Sequence, residues 1–289
     1  MPLLAIPNVS EGRSQEAIDG YAHAVVEHGA RILDIHSDRA HNRSVFTITG
    51  EAMALVDAMV ELAREASSID LTEHDGVHPR LGGLDVCPIV PLHEEMSEAV
   101  MVARAIGTRI GTEVGLPVYL YGEAATRSES KELPDIRRGG LAGVIKRAAE
   151  GSGPDRGASV PDATRGVVCV GARGPLIAFN VWLNCSAQEA AAIASEIRGA
   201  EDLPGVRALG FAIAADSLSQ VSMNLVTPEV TGIDAVFERV AELAATAGIT
   251  IRGSEIVGLL EARFLPDPER AAARALISPG RSLDAVLKS

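Results

Sequence analysis

A short stretch between positions 73 and 88 concentrates side chains that could move protons. It contains two histidines and an arginine close together, His74, His78 and Arg80. An imidazole titrates near neutral pH and can both accept and return a proton, which suits general acid–base catalysis. Pro79 pushes the residue before it out of helical backbone. We therefore expect His78 to lie in a loop at the entrance of the apolar strand that follows.

The same histidines are compatible with a metal site or with a purely structural role. His74 and His78 are four residues apart, and this spacing places two rings on one face only within a helix. Gly76 lies between them and disfavours a helix, and the chain has no cysteine pair at ligand spacing. Isolated histidines are more often surface or structural residues than catalytic ones. We expect no metal here, and the structural alternative stays open on spacing alone.

A longer pattern around His78 favours catalysis. Residues 74–88 read His-Asp-Gly-Val-His-Pro-Arg-Leu-Gly-Gly-Leu-Asp-Val-Cys-Pro, which resembles the signature of the glutamate formiminotransferase family. That family includes the transferase half of the bifunctional formiminotransferase-cyclodeaminases. In it, the histidine of the His-Pro-Arg triplet is the catalytic proton acceptor, and by position this residue is His78. The resemblance also implies that tetrahydrofolate is the co-substrate and that no metal is used.

Further blocks along the chain resemble the same family. They are Pro7–Gly12, Asn42–Thr47, Pro117–Ala125 and the glycine-bounded segment Gly157–Gly166, in which residues 162–165 depart from the usual pattern. Without the resemblance, these blocks would be typical of polar turns and of an ordinary buried strand. The resemblance implies substrate or folate contacts at Asn8, Asn42, Arg80, Glu123, Gly157, Ser159 and Gly166.

The catalytic set that the resemblance implies also contains Asp38 and Arg43. Some relatives carry an aspartate where this chain has His36, so we assign the carboxylate role to Asp38. This carboxylate would orient His78, while Arg43 or Arg80 would pair with a substrate carboxylate.

The implied reaction moves the formimino group of N-formimino-L-glutamate to N5 of tetrahydrofolate and releases L-glutamate. The N5 amine attacks the amidine carbon, and collapse of the tetrahedral adduct must expel a nitrogen that leaves poorly unless it is protonated. One imidazole that takes the proton from N5 and returns it to that nitrogen serves both steps, for about 10²–10⁴-fold in rate. Neither a metal nor a covalent enzyme intermediate is required.

The elements that must position these residues follow from hydrophobic periodicity and capping signals. Each half of the chain predicts strand, helix, strand, strand, helix, strand, and the first half continues with a helix near 97–114 and a strand at 116–121. This order favours an α/β (α+β) fold of two ferredoxin-like βαββαβ subdomains, residues 1–175 and 176–289. We expect a substrate groove between them, with the pterin near His78. The tail after Pro266 is predicted to be helical.

Bulk properties limit the functional classes. The net charge of −13 and the pI near 5.0 argue against a general nucleic-acid or membrane-surface binder. The sequence has no apolar run of about 18 residues and no basic start to an export signal. Its three cysteines are odd in number and widely spaced, which is typical of buried thiols in a reducing compartment. We therefore predict a cytoplasmic enzyme that acts on small molecules, folate and formiminoglutamate. A homodimer is left open.

Two other functions are compatible with the sequence. One is a related folate-dependent formyl or formimino transferase with a different donor or acceptor, and the other is a catalytically silent folate-binding protein. A silent relative would be expected to lack some of the site residues. All of His78, Asn42, Arg43 and Glu123 are present, which favours the enzyme.

Overall fold

The computed structural model describes residues 3–92, 94–214, 218–270, 276–278 and 281–288. The chain divides after Gly174 into two compact units. The elements of the first unit are β1 (Leu3–Ala5), β2 (Asn8–Val9), α1 (Gln15–Glu27), β3 (Arg31–Asp38), β4 (Arg43–Gly50), α2 (Ala52–Ala66), β5 (Leu84–Val90), α3 (Met96–Arg109), β6 (Val118–Gly122), α4 (Leu133–Arg137), α5 (Gly140–Ala149) and β7 (Val168–Ala172). A π-helical turn, Ile110–Val114, continues α3.

The sheet of the first unit has antiparallel and parallel parts. Strands β1 and β2 each pair with β4 on one side and β5 on the other, so they act as one interrupted strand, and β3 pairs with β4 at the outer edge. All these pairings are antiparallel. Strand β7 is parallel to β5, and β6 is parallel to β7. The later β7 is therefore inserted between β5 and β6.

The second unit begins with the same succession of elements. They are β8 (Ile177–Asn184), α6 (Ala187–Gly199), β9 (Val206–Ala214), β10 (Leu218–Leu225), α7 (Ile233–Thr246), β11 (Thr250–Val257), β12 (Leu259–Leu260), β13 (Leu276–Ser278), β14 (Arg281–Ser282) and α8 (Leu283–Lys288). Strand β8 lies between β11 and β10, with β9 beyond β10, all antiparallel, and β13 is parallel to β11. The predicted α/β class is confirmed, and both units contain the predicted βαββαβ succession.

The tail after Pro266 differs from the predicted helix. It contributes β13 and β14, and only α8 is helical among its described elements; residues 271–275, 279–280 and 289 lie outside the described part. Pairing of β13 with β11 gives this segment backbone partners that its own sequence does not reveal.

Local sequence explains the position of the first helix. The Ser14 hydroxyl accepts a hydrogen bond from the backbone N–H of Ala17, and Gly29 follows the helix with a φ of +79°. Ile18, Tyr21 and Val25 form the buried stripe that packs into the core of the first unit. The cap and the buried stripe fix the loop before α1 relative to the sheet.

Two separate hydrophobic clusters cover the first sheet. One contains residues of α1, α2 and α3, and the other joins β5, β6 and β7 to α4 and α5 through Ile136 and Val144. The second unit has a core of its own around β8, β10, α6 and α7. Over the described ranges, no helix is long and apolar enough to cross a membrane.

Candidate active site

Three connections of the first unit meet at one edge of its sheet. The chain leaves β2 at Val9, turns between β3 and β4 over residues 39–42, and enters β5 at Leu84. Because these strands are antiparallel neighbours, the three points lie at the same end of the sheet. The signature loop, residues 67–83, therefore meets the loop after β2 and the β3–β4 turn.

Asn42 connects all three segments. Its backbone has a φ of +48°, a left-handed conformation that asparagine tolerates better than most residues. Its buried side chain accepts a hydrogen bond from the Gly12 N–H at 3.0 Å and donates one to the Asp75 carbonyl at 2.9 Å. Asn42 thus fixes the geometry of the loops rather than presenting a free amide.

Glycines allow these loops to approach one another. A Cβ atom at Gly12 would lie 2.3 Å from the Asp38 carbonyl oxygen, and one at Gly76 would lie 2.5 Å from the His41 carbonyl oxygen. Both distances are too short for any side chain, so the two glycines are needed for close backbone packing.

The environment of His78 defines its tautomer. Its Nδ1 lies 2.7 Å from the Pro79 carbonyl oxygen, which can only accept, so Nδ1 carries the proton and Nε2 is the proton-accepting nitrogen. The His78 ring meets the His41 ring edge to face, with the centroids 5.8 Å apart and an interplanar angle of 70°. Together with Ser10, Arg43, Arg80 and Asp85, the two histidines line a concavity.

Positive charge dominates the surroundings of His78. Burial, followed by the charges of Arg43, Arg137 and His41, lowers the pKa of His78 well below its ordinary value of 6.5. At neutral pH the imidazole is therefore neutral and ready to accept a proton.

Arg137 of α4 fixes the signature loop from the opposite side. Its Nη2 donates to the Pro79 carbonyl at 2.8 Å and to the Asp85 carboxylate at 2.7 Å, where Asp85 is 4% exposed. Asp85 also accepts a hydrogen bond from the Leu81 N–H at 2.8 Å. Burial opposes the charged form of Arg137, but the Asp85 carboxylate outweighs it and raises the pKa of Arg137.

Arg43 has a different kind of partner. Its guanidinium donates to the amide oxygen of Asn8, a neutral group, and Asn8 in turn donates to the Ile6 carbonyl at 3.1 Å. Its Nε is buried and has no hydrogen-bond partner within the described residues. Burial lowers the pKa of Arg43 to about 10, and the neighbouring Asp85 carboxylate only partly opposes this. Arg43 is thus a half-buried residue with a fully buried Nε, and it has no carboxylate in hydrogen-bond contact among the described residues.

His74 and Arg80 hold each other in place. Nε2 of His74 donates to the Ser10 carbonyl at 2.6 Å, and Nη1 of Arg80 donates to Nδ1 of the same ring. Arg80 also donates to the His78 carbonyl at 2.7 Å. Burial and the Arg80 charge lower the pKa of His74, so its ring is neutral and both nitrogens serve the loop. Among the described side chains, no group of three or more His, Cys, Asp or Glu could hold a metal ion.

Asp38 organises the β3–β4 turn. One carboxylate oxygen accepts hydrogen bonds from the N–H groups of Ala40 and His41, at 2.7 and 2.8 Å. The other lies 4.0 Å from Nε2 of His41. These contacts lead to His41, whose ring meets that of His78. That Asp38 orients His78 stays a prediction.

The predicted folate residues fall into separate places. Gly166 pairs with Gly82 of the signature loop in an isolated β-bridge, so it lies next to the site. Gly157 packs against the Leu116 carbonyl at the start of β6, and Ser159 is exposed.

Glu123 lies at the other end of the sheet. It follows the carboxyl end of β6 and pairs with Lys131 at 3.2 Å, whereas the signature loop precedes the amino end of β5. Strands β5, β7 and β6 are parallel, so these two points lie at opposite sheet edges. The folate contact of Glu123 stays a prediction, and this placement separates it from the His78 cluster.

Sequence reasoning did not identify His41, Asp85 and Arg137 as parts of the site. His41 lies in the β3–β4 turn, Asp85 lies within the signature residues 74–88, and Arg137 lies in α4. A buried carboxylate in a strand must have a cationic partner, so Asp85 within the apolar strand 84–90 was the available signal.

Known proteins resemble this chain over most of its length. Residues 3–173 match the family model for the formiminotransferase domain, N-terminal subdomain, and residues 178–270 match that for the formiminotransferase domain. A glutamate formimidoyltransferase of Streptococcus pyogenes serotype M1 is 40% identical over 91% of this chain and 90% of its own. A glutamate formimidoyltransferase of Thermoplasma acidophilum is 39% identical over 91% of this chain and 89% of its own.

A longer relative matches in part. The formimidoyltransferase-cyclodeaminase of Sus scrofa is 38% identical over 91% of this chain, which spans 50% of that protein's length. The crystal structure of a microcompartments protein from Desulfitobacterium hafniense aligns with 89% of this chain and 94% of its own at 11% identity, but its TM-score of 0.23 is too low for a comparison of folds. The family models and the identities of about 40% agree with the resemblance seen in residues 74–88. The chain belongs to the glutamate formiminotransferase family.

Proposed function

We propose that this protein is a glutamate formimidoyltransferase, which moves the formimino group of N-formimino-L-glutamate to N5 of tetrahydrofolate. The observation that carries the proposal is His78 itself. It is held as a neutral imidazole with Nε2 as the acceptor, inside a cationic cluster, in a chain 40% identical to a protein of that name.

The first chemical step needs a base. As N5 of tetrahydrofolate attacks the amidine carbon, the new C–N bond leaves N5 with an excess proton, which passes to Nε2 of His78. The depressed pKa of His78 favours the neutral imidazole at pH 7, which is the protonation state that a base requires. Nδ1 remains bonded to the Pro79 carbonyl throughout and fixes the plane of the ring.

The second step needs an acid. Collapse of the tetrahedral adduct breaks the bond between the amidine carbon and the glutamate nitrogen, and the imidazolium of His78 returns its proton to that nitrogen. Burial and the charge of Arg137 disfavour this imidazolium, which favours proton release. The histidine ends neutral, and no net proton is gained or lost.

We assign substrate binding to the arginines Arg43 and Arg80. Both substrates carry carboxylates, and Arg43 and Arg80 lie in the concavity that His78 lines. Guanidinium groups bind carboxylates through charge-assisted hydrogen bonds. Asn8 and Asn42 have hydrogen-bond partners within the protein, so we assign them to holding Arg43 and the loops. Glu123, Gly157, Ser159 and Gly166 stay assigned to folate as predictions.

A donor comparison tests the function. The purified protein is incubated with tetrahydrofolate and either N-formimino-L-glutamate or N-formyl-L-glutamate, and formation of the substituted folate is followed by absorbance. We expect turnover with the formimino donor and much less with the formyl donor. Preference for the formyl donor would assign the related transferase activity instead. Folate binding without turnover of either donor would indicate a silent binding protein.

A further inference from the structure

Within the described residues, half-buried Arg43 has a neutral side-chain partner, the Asn8 amide, and no carboxylate in hydrogen-bond contact. Arg137 has the Asp85 carboxylate at 2.7 Å, whereas Arg43 donates to the neutral Asn8 amide and leaves a buried Nε without a partner in the described residues. A desolvated charge that lacks a counter-ion is costly, so a ligand that brings the opposite charge to this site would relieve part of that cost.

Charged groups face His78 from several elements. His41 comes from the β3–β4 turn, Arg43 from β4 and Arg137 from α4, and all three charges act on the ring. Arg80 reaches the His78 carbonyl from the signature loop itself. Histidines and arginines thus line the concavity from the β3–β4 turn, β4 and the signature loop, while the loop after β2 contributes Ser10 and β5 contributes Asp85.

The acidic groups do not balance these cations. Asp85 is already bonded to Arg137 and to the Leu81 N–H, and Asp38 is bonded to backbone N–H groups of its own turn. The site therefore has a surplus of positive charge at Arg43, within the same concavity as His78.

We propose that a carboxylate of the glutamate donor binds at Arg43 and that its negative charge makes His78 a stronger base, so that proton transfer begins only in the occupied site. The inference rests on the proposed function, because it takes the formiminoglutamate carboxylate as the ligand. It adds a coupling that the function alone does not require: the donor activates the catalytic base.

The coupling follows from electrostatics. An imidazolium beside an unpaired guanidinium is destabilised, which contributes to the low pKa of His78 in the free protein. A carboxylate bound at Arg43 would oppose that repulsion and so favour the protonated form of His78. The base then accepts the N5 proton more readily, and it returns that proton when the glutamate nitrogen leaves.

The experiment measures the protonation of His78 directly. Histidine ring signals of the labelled protein are followed by NMR against pH, with His78 assigned by its loss in His78→Ala. The titration is run without ligand and with saturating L-glutamate, the product of the proposed reaction, against sodium chloride at equal ionic strength. We expect glutamate, but not chloride, to raise the pKa of His78 by about 1–3 units, the usual effect of an opposite charge at close range.

Two arginine variants of the same hairpin separate the cause. In Arg43→Gln the repulsive charge is gone, so the pKa of ligand-free His78 should be higher than in the wild type and the glutamate-induced shift should be largely lost. The matched control is Arg39→Gln, since Arg39 is exposed and its Nη1 donates to the Arg13 carbonyl. We expect the control to titrate and to respond like the wild type.

Kinetics provide an independent measure. The profile of kcat/KM reports the free protein and that of kcat reports the complex. If both acid limbs report His78, we expect the apparent pKa in the kcat profile to be higher than that in the kcat/KM profile.

Three outcomes would overturn the inference. They are glutamate binding without a shift of the His78 pKa, an equal shift in Arg43→Gln, and no detectable glutamate binding. None of these outcomes requires a loss of formimino transfer. An active protein whose His78 pKa does not change with glutamate would refute the coupling but not the proposed function. Conversely, the His78 pKa could rise with glutamate in a protein that uses only N-formyl-L-glutamate. That result would refute the proposed function but not the coupling to a glutamate carboxylate.

Discussion

The two units place the same succession of strands and helices around very different connections. Between α2 and β5, the first unit has the signature loop, residues 67–83, whereas α7 and β11 of the second unit are joined by residues 247–249 alone. The same holds after the first strand, where residues 10–14 lead into α1 and residues 185–186 lead into α6. A shared framework thus carries the cluster around His78 where its connections are long.

Buried polar groups also differ between the units. In the second unit they lie on strands: the Asn180 and Gln220 amides donate to one oxygen of the Glu255 carboxylate, at 2.9 and 3.2 Å. In the first unit, histidines and arginines from the β3–β4 turn, β4 and the signature loop surround a concavity. The strand cluster surrounds a carboxylate with neutral donors, whereas the loop cluster has surplus cations. We therefore expect substitutions in the loop cluster to change turnover and those in the strand cluster to change mainly stability.

Removal of the His78 imidazole should have the largest effect. In His78→Ala we expect turnover to fall by about 10²–10⁴-fold with unfolding unchanged within about 0.5 kcal/mol, since acid–base help is lost but the side chain is only half-buried. Steady-state kinetics and urea unfolding measure the two effects. His23→Ala is the matched control, because His23 is on the exposed face of α1 with 72% of its side chain accessible. Similar turnover in both variants would remove His78 from the mechanism.

The ion pair behind the signature loop should dominate local stability. Arg137→Ala leaves the Asp85 carboxylate buried without its cation, which costs about 3 kcal/mol or more. Urea unfolding gives the change. Arg138→Ala is the control, because the Arg138 side chain is 77% exposed and its partner is the surface residue Asp135; we expect a change within about 0.5 kcal/mol. Equal losses would show that the Arg137–Asp85 pair has no special role.

The strand cluster of the second unit should respond to loss of its acceptor. Glu255→Ala leaves the amide donors of Asn180 and Gln220 without this carboxylate, and we expect a loss of about 2 kcal/mol in unfolding free energy. Thermal or urea unfolding tests this against Glu201→Ala, whose side chain is exposed. A stability like that of the wild type would contradict the distinction between the two clusters.

The pH dependence of stability should show a smaller effect, located in the first unit. The folded pKa of His78 lies below 6.5, so the unfolded chain binds this proton first as the pH falls. The contribution of the neutral His78 ring to the unfolding free energy is fully present above pH 6.5. Below pH 6.5, the unfolding free energy decreases by up to about 1.4 kcal/mol per pH unit. The unfolding free energies of wild type and His78→Ala, compared below pH 6.5, isolate the contribution of His78 titration. If the unfolding free energies of the two proteins changed in parallel with pH, the pKa of folded His78 would not be depressed.

Much of the fold could be predicted because its signals are local. Ser14 and Gly29 bound α1 through capping and a positive φ, and the apolar alternation of 44–50 identifies β4. The insertion of β7 between β5 and β6 could not be predicted, since it depends on pairing between segments far apart in sequence.

The site divides in the same way. The sequence placed His78 in a loop before β5 because Pro79 restricts its backbone, and the structure agrees. It did not reveal Arg137 beside Asp85, because this pair joins residues 52 positions apart. His41 was equally hidden: its orientation depends on the left-handed backbone of Asn42, which a turn-like composition alone does not specify.

The three buried thiols can report local unfolding of the protein through their rates of chemical labelling. Cys87, Cys169 and Cys185 are all free and buried, and burial raises the pKa of Cys87 and Cys169 to about 12. Alkylating reagents need a thiolate in contact with solvent, so these sulfurs should be modified only when the surrounding structure separates. Cys87 and Cys169 belong to the two clusters of the first unit, and Cys185 belongs to the second unit. The labelling rates of the three cysteines, followed by peptide mass, would therefore time the opening of each core in one sample without any engineered probe.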